Sequence, residues 1–488
     1  MLSWARSSCV IAVVLIVIAV SAIRPGVTSS QATAAEQAAA RQILEATGIR
    51  GGLIVHLGCG DGKLTAALQP NPTSLVHGLD ADDAKVEAAR RHIRSLGLYG
   101  KVSADQCTGE RLPYIDNLVN LLVVESPGRV SREEMMRVLA PGGVAYVKSA
   151  SEWTKLVKPR PAGIDEWTHY LHDPSNNAVA HDSAVGPPRR LQWVSDPAWS
   201  RHHDHMASMT ALVSSQGRIF YIMDEGPREA ILLPSQWSLI ARDAFNGAVL
   251  WKRSIPEWNT QLWPLKSGPN QLPRRLVAVE DRVYVTLGID APLSVLDAAT
   301  GQTLRTYAGT EHTDEILASD GTLFLLVAHD ANRWKTYRPA STYVWDNTKR
   351  ANDEWAWDRA ERSILAVDAE SGAVLWKKPH RVAPLTLAAD RDRVYFYNGE
   401  KVVGLDRKSG AEIWTSQAVA RKSSFPTGYG PTLVVAQDVV LLSVESRSMT
   451  ALAAADGKTL WTAPHHHGGH MSPDDMHVIN GLVWSGAI

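Results

Sequence analysis

Two hydrophobic rhythms divide this chain. From residue 36 to about 150, short apolar runs alternate with amphipathic stretches of helical period. Beyond about residue 190 the apolar positions gather into brief strand-like runs, broken by Gly-bearing turns. Five of these breaks repeat one pattern: LIARDAFNGAVLW (239–251), LSVLDAATGQTLR (293–305), ILAVDAESGAVLW (364–376), VVGLDRKSGAEIW (402–414) and MTALAAADGKTLW (449–461). The Asp position precedes the closing Trp position by 8 residues in every copy. Arg305 stands at the Trp position of the second copy and Ala453 at the Asp position of the fifth.

Each copy reads as a hairpin. The Asp/Asn-x-Gly stretch supplies the positive φ of a tight turn, and the closing indole is large enough to wedge between neighbouring sheets. The repeat Asp residues (Asp243, Asp297, Asp368, Asp406) read as turn-stabilising acceptors. Further strand signals lie between copies: GRIFYIMD (217–224), DRVYVTLG (281–288), GTLFLLVA (321–328), DRVYFYNG (392–399), DVVLLSVE (438–445) and GLVWSGAI (481–488). One strand plus one hairpin, recurring roughly every 40–50 residues, predicts the blades of a β-propeller. Five hairpins and the start of a sixth unit do not obviously close a ring. The reading is therefore part of a longer propeller, or a ring of fewer blades.

The first region has a different order. The strand Leu53–Leu57 runs into GCGDG (58–62), then come a helical stretch, the strand SLVHGLD (74–80) and the helix DAKVEAARRHIRSLG (83–97). The strand LVNLLVVE (118–125), the helix EEMMRVLA (133–140), the turn PGG (141–143) and the strand VAYVKS (144–149) follow. This alternation predicts a doubly wound, Rossmann-like α/β domain. Gly58, Gly60 and Gly62, placed after a strand and before a helix, form a turn that lets backbone approach a ligand. Asp80 ends the next strand, 18 residues past Gly62, where a carboxylate can accept both hydroxyls of a ribose.

These motifs carry two resemblances. The repeats, over about residues 190–488, resemble the pyrroloquinoline-quinone (PQQ) type of propeller repeat. That family includes quinoprotein alcohol dehydrogenases and a non-enzymatic outer-membrane assembly lipoprotein. In its enzymes PQQ is usually backed by a Trp and a vicinal disulfide, with Ca²⁺ held by Glu and Asn. This propeller contains no Cys, and its acids Asp314, Glu315, Asp474 and Asp475 are scattered, so the match argues against PQQ. HDPSNNAVAHDSAVGPPRRLQWV and GPNQLPRRLVAVEDRVYVTLGIDAPL look like a bacterial group of exported propellers that carry a methyltransferase-like domain in front.

The Gly turn with Asp80, Asp105 (in ADQCTGERLPY) and LAPGG resembles class I S-adenosylmethionine (SAM) methyltransferases. The resemblance implies that the Gly turn faces the methionine part, Asp80 the ribose and Asp105 the adenine. Two departures stand out. The chain leaves the PGG strand for a Pro-interrupted connector, KLVKPRPAGIDEWTHYLHDPSNN, where the family has a helix and a two-strand hairpin, and Asn120 replaces a usual acid. The expectation is a degenerate SAM-binding domain joined to a binding or scaffold propeller. A SAM-dependent methyltransferase and a quinoprotein-like oxidoreductase are the rival readings.

Bulk properties narrow this further. A net charge of −1 gives no bias toward nucleic acid or anionic membrane. Seventeen Trp against five Phe fits blade-closing indoles plus Trp-rich loops. Three cysteines (Cys9, Cys59, Cys107) are too few for a disulfide framework. Arg6 before the apolar run Val10–Ile23 predicts an export signal or an N-terminal anchor, and hence a periplasmic or cell-envelope location. The expected layout is signal or anchor at 1–35, Rossmann-like domain at 36–150, Pro-rich connector at 151–190 and propeller at 191–488.

Candidate chemistry outside the Gly turn sits in loops. Eight of seventeen His lie in two windows, RHHDHM and HHHGGHMSPDDMH. His202, His203, His205, His465, His466, His467 and His470 are a candidate metal set, though polar loop histidines without metal have the same appearance. The insertion 329–363 holds Trp334, Trp345, Trp355 and Trp357 among charges. With the segment 254–275 it suits either packing over a blade edge or recognition by stacking on a sugar or quinone. The partner expected at these loops is a protein or small molecule.

Overall fold

The computed structural model describes residues 34–488 apart from 151, 188–190, 198–200, 202–204, 207, 265–270, 342, 420–424, 426–429, 445–447, 466–475 and 487–488. The expected N-terminal signal or anchor and most of the histidine set therefore lie outside the described residues. No described helix is long and apolar enough to cross a membrane.

Helix α1 (Ala34–Thr47) leads into β1 (Leu53–Leu57), α2 (Lys63–Ala67), β2 (Leu75–Asp80), α3 (Asp83–Ser95), β3 (Val102–Gln106), β4 (Val119–Val124), α4 (Arg132–Val138), β5 (Leu139–Ser149) and β6 (Glu152–Val157). The sheet order is β3-β2-β1-β4-β5-β6. β1 to β5 run parallel and β6 pairs antiparallel with β5. The centre strands are near-continuous apolar runs, and both faces bury them under helices, as a parallel sheet requires. Two local readings are corrected. PGG lies inside β5, where the register with β4 shifts between Val119 and Leu121. Residues 152–157, read as connector, are a sheet strand. Their alternation (EWTKLV) is weak because β6 is a mostly exposed edge strand.

The C-terminal region is a β-propeller of five four-stranded antiparallel sheets followed by a two-stranded one. All five repeat copies are hairpins, and all six intervening signals are strands. Each of the five full blades has one strand more than the sequence reading. These innermost strands are Met209–Ser215, Leu276–Val279, Thr313–Ser319, Ala388–Ala389 and Thr432–Ala436, with Met476–Ile479 their counterpart in the sixth sheet. They lack a turn signature, which hid them.

In three of the five copies the closing Trp fastens its blade to the next. Trp251 Nε1 donates to Ala298 O at 2.9 Å, Trp376 Nε1 to Arg407 O at 2.9 Å and Trp414 Nε1 to Ala454 O at 2.9 Å. Each indole covers the turn glycine of the following blade: a Cβ on Gly301, Gly410 or Gly457 would come within 2.6 Å or less of it. These glycines also hold φ between 65° and 71°. Two positions improvise. Tyr307 Oη donates to Ala369 O at 2.6 Å, supplying the bond that Arg305 lacks. Trp193, ahead of the first repeat, fills the slot at Gly247 and donates to Ala244 O at 2.8 Å.

The segment read as a linker lies at the propeller centre. Going round the innermost strands, Ser214 N donates to Trp167 O, Ala278 N to Thr168 O, Ala389 N to Pro174 O and Val435 N to Ser175 O. Ala318 N donates to His169 Nε2 at 3.0 Å, and Asn177 exchanges side-chain bonds with both the N–H and the C=O of Val478. Residues 167–177 thus touch each of the six blades in chain order. Asn176 sits deepest, donating to Leu387 O and Leu433 O and accepting from Arg274. The buried pairs Arg274–Glu315 and Arg275–Asp314 complete this polar centre. Each buried carboxylate here is paired with a guanidinium, the arrangement that buried charges require.

Candidate functional site

The Gly turn joins β1 to α2, and β2 fastens it. Gly58 N and Cys59 N both donate to Leu79 O, at 2.7 and 3.0 Å. Gly62, at φ 81°, packs directly on α3, where a Cβ would approach the Ala89 Cβ to 2.7 Å. Gly60 differs: a Cβ there would meet nothing within 4 Å, so the backbone faces open space. Gly60 N points at β2 and donates to Asp80 Oδ2 at 3.0 Å, while Asp82 N donates to Asp80 Oδ1 at 3.1 Å. Asp80 is 8% exposed. A carboxylate offers about four lone-pair positions, so two backbone donors leave about two for a vicinal diol. The structure thus brings Gly58, Gly60, Gly62 and Asp80 together as the sequence suggests.

Asp105 belongs elsewhere. In the β2–β3 register Gln106 stands beside Asp80 and Asp105 beside Leu79, so alternation turns Asp105 to the opposite face. There it accepts from Arg90 Nη2 at 2.5 Å and meets His77 Nε2 at 3.0 Å. Tyr114 Oη lies 2.6 Å from the other His77 nitrogen. Burial pushes the Asp105 carboxyl up, but the Arg90 and His77 bonds outweigh it and hold the pKa below the usual range. On the Asp80 side the register places Gln106, whose amide donates to Ala81 O at 3.0 Å. A shift of one residue in strand phase cannot be read from ADQC alone.

Sequence reasoning also missed Glu125, at the C-terminal end of β4. Glu125 N donates to Leu57 O, next to Gly58. Its carboxylate lies 3.5 Å from His56 Nε2 and 3.3 Å from Lys148 Nζ. The His56 bond above all, with Lys148, holds its pKa below the usual carboxylate range. Fully buried His56 is fixed by Thr65 at 2.9 Å. The signal in the sequence is an acid closing an apolar run, LVVE.

Asn120, a departure from the methyltransferase pattern, turns out to hold the two domains together. Its Oδ1 accepts from Leu53 N at 2.8 Å and Asn246 Nδ2 at 2.7 Å, and its Nδ2 donates to Asp243 Oδ2 at 2.7 Å. Asp243 and Asn246 form the turn of the first blade, and Asn246 also donates to Leu118 O. The other repeat Asp residues cap their own turns, accepting from Thr300, Ser371 and Ser409 backbone N–H groups.

Of the metal candidates, His202, His203, His466, His467 and His470 lie outside the described residues. His205 and the buried His465 are described. Among the described residues no three His, Cys, Asp or Glu side chains group as metal ligands. Cys59 and Cys107 are free thiols, and burial above all pushes the Cys59 pKa up to about 12.

Both regions have relatives. Residues 54–143 match the methyltransferase domain family and residues 360–479 the family of the outer membrane protein assembly factor BamB. A ubiquinone/menaquinone biosynthesis C-methyltransferase from Psychromonas ingrahamii is 30% identical over 152 residues, which cover 29% of this chain and 60% of that protein. A methyltransferase from Streptomyces halstedii is 34% identical over 96 residues, 18% of this chain and 34% of its own. The chain thus spans about 60% and about a third of these relatives' lengths. Among solved structures, BamB from Moraxella catarrhalis is 19% identical over 53% of this chain and 63% of its own, with a TM-score of 0.32.

Proposed function

We propose that this protein is a SAM-binding Rossmann-like domain fixed to a propeller that works as a binding scaffold. The observation that carries the proposal is the Gly60–Asp80 hydrogen bond. It pre-sets a carboxylate with spare acceptor capacity beside a glycine whose flank is open. Similarity to methyltransferases supports SAM as the ligand. Asp80 holds the ribose hydroxyls, the 58–62 turn faces the methionine end and Gln106 lies toward the base.

The propeller's role as a scaffold is supported by its centre. Residues 167–177 bond to every blade on the inner face of the ring, where a quinone cofactor would need room. Recognition is thereby left to the loop faces, with a protein or small molecule as partner. Export to the cell envelope is supported by Arg6 with the apolar run 10–23 and by the similarity of residues 360–479 to an outer-membrane assembly factor.

One observation favours catalysis as a second reading. Glu125, held ionised by His56 and Lys148, stands beside Gly58, where its negative charge would orient a methyl acceptor. Calorimetric titration with SAM tests the first reading. Saturable binding that Asp80→Ala weakens at least tenfold supports it, and no binding at about 10 mM contradicts it. Methyl transfer that Glu125→Gln abolishes without loss of SAM binding would establish the second.

A further inference from the structure

Among the described residues, buried arginines are answered by carboxylates, with one exception. Arg201 meets Asp224, Arg274 meets Glu315, Arg275 meets Asp314 and Arg407 meets Asp320. Arg242, only 7% exposed, has neutral acceptors alone. Its Nε donates to Tyr221 Oη, its Nη1 to Ser195 Oγ and Gly247 O, and its Nη2 to Asp196 O, each at 2.6 Å. Such bonds satisfy the N–H groups but leave a buried charge without a counter-charge, which is costly.

That charge borders a cleft between the two domains. Arg242 and its partners Ser195, Asp196 and Gly247 line a cavity of about 530 Å³, within the range of small-molecule sites. The opposite wall comes from the Rossmann-like domain, through Thr73, Leu75 and Lys101. Leu75 opens β2 and Asp80 closes it, so this cleft lies at the sheet edge away from the Gly58–Gly62 turn. Two of the lining acids are already paired: Asp224 with Arg201 and Glu225 with Lys252, at 2.5 Å each. Lys101 and Arg228 also line the cleft, and both are exposed without a carboxylate partner among the described residues. With Arg242 they set three unanswered cations against one unpaired carboxylate, that of Asp196.

We infer that this cleft binds a phosphate group, free or esterified, and that the group bridges the two domains. A phosphate monoester carries about −1.5 to −2 charges at neutral pH, which matches the excess of positive charge. Its three terminal oxygens are acceptors for Lys101 and Arg228. Ser195 adds a neutral donor: its oxygen accepts from Arg242, so its hydroxyl proton is left for a ligand. A single carboxylate supplies only about half the charge, and a neutral ligand leaves Arg242 unanswered. The inference is independent of the SAM reading, because it shares no residue with the Gly turn or Asp80.

The test is calorimetry of the full chain with inorganic phosphate, glycerol 3-phosphate and succinate, at an ionic strength held constant with chloride. The comparison is the double variant Lys101→Ala/Arg228→Ala. Both side chains are exposed and unpaired, so its unfolding midpoint without phosphate should match the parent's. The expected result is saturable binding of at least one of the two phosphates, weakened roughly tenfold in the variant. Phosphate should also raise the unfolding midpoint of the parent more than that of the variant. Tighter binding of glycerol 3-phosphate supports an esterified ligand, and tighter binding of the inorganic ion supports a free one. No phosphate binding at about 10 mM, or equal binding by the variant, overturns the inference. Succinate binding as tight as that of either phosphate overturns the phosphate assignment.

Discussion

Asn120 of the Rossmann-like domain donates to Asp243, the turn Asp of the first propeller blade, at 2.7 Å. One residue thus explains two oddities: the loss of a usual methyltransferase acid and the docking of two unrelated folds. Burial above all raises the Asp243 pKa, against the bonds it accepts from Asn120, Phe245 and Asn246. Asn120→Asp replaces a donor with a second acid. Destabilisation by about 1–3 kcal/mol is expected at neutral pH. It should shrink on acidification as the acid pair retains a proton, which denaturant unfolding at several pH values will show.

The blade-closing contacts should differ in weight. Trp376 is buried, covers Gly410 and bonds to Arg407 O, so Trp376→Ala should cost about 3–5 kcal/mol. Tyr307→Phe removes only the bond to Ala369 O and should cost about 1 kcal/mol. Unfolding curves of the two variants will show the ranking.

Two histidines of the central segment should respond to pH in opposite senses. Full burial lowers the His169 pKa to about 3, in keeping with its role as acceptor for Ala318 N. Its contribution is present above the unfolded value of about 6.5 and is lost as pH falls toward 3. Burial also pulls His172 down, but bonds to Asp173 and Asp165 more than reverse it and raise its pKa. Its contribution is complete below about 6.5 and is lost as pH rises through the raised value. His172→Asn should therefore lower the unfolding midpoint most in acid, with the difference from the parent narrowing at alkaline pH.

Thiol chemistry offers a further check. Cys59 is 4% exposed, and its pKa near 12 leaves almost no thiolate at neutral pH. Alkylation of the folded chain should modify Cys107 well before Cys59, as peptide mapping will reveal.

The sequence made some of this plain and hid the rest for physical reasons. Repeat turns are legible because Gly and Asp have fixed jobs there, and the Gly58–Gly62 turn with Asp80 is legible for the same reason. The central segment 167–177 is opaque because its work is done mostly by backbone carbonyls and by Asn and His side chains, which leave no apolar period. The sheet face that Asp105 occupies is hidden because strand phase, not residue type, decides it. Tyr307 escapes notice because it replaces the function of position 305 from two residues away.

The central claim is that Asp80 holds a ribose. Titrating the protein with S-adenosylhomocysteine and with its 2′,3′-dideoxy analogue tests it most directly. The ribose form should bind and the dideoxy form should lose roughly tenfold to a hundredfold in affinity, the value of hydrogen bonds to a charged acceptor. Equal affinity for the two, or no binding of either at about 10 mM, would contradict it.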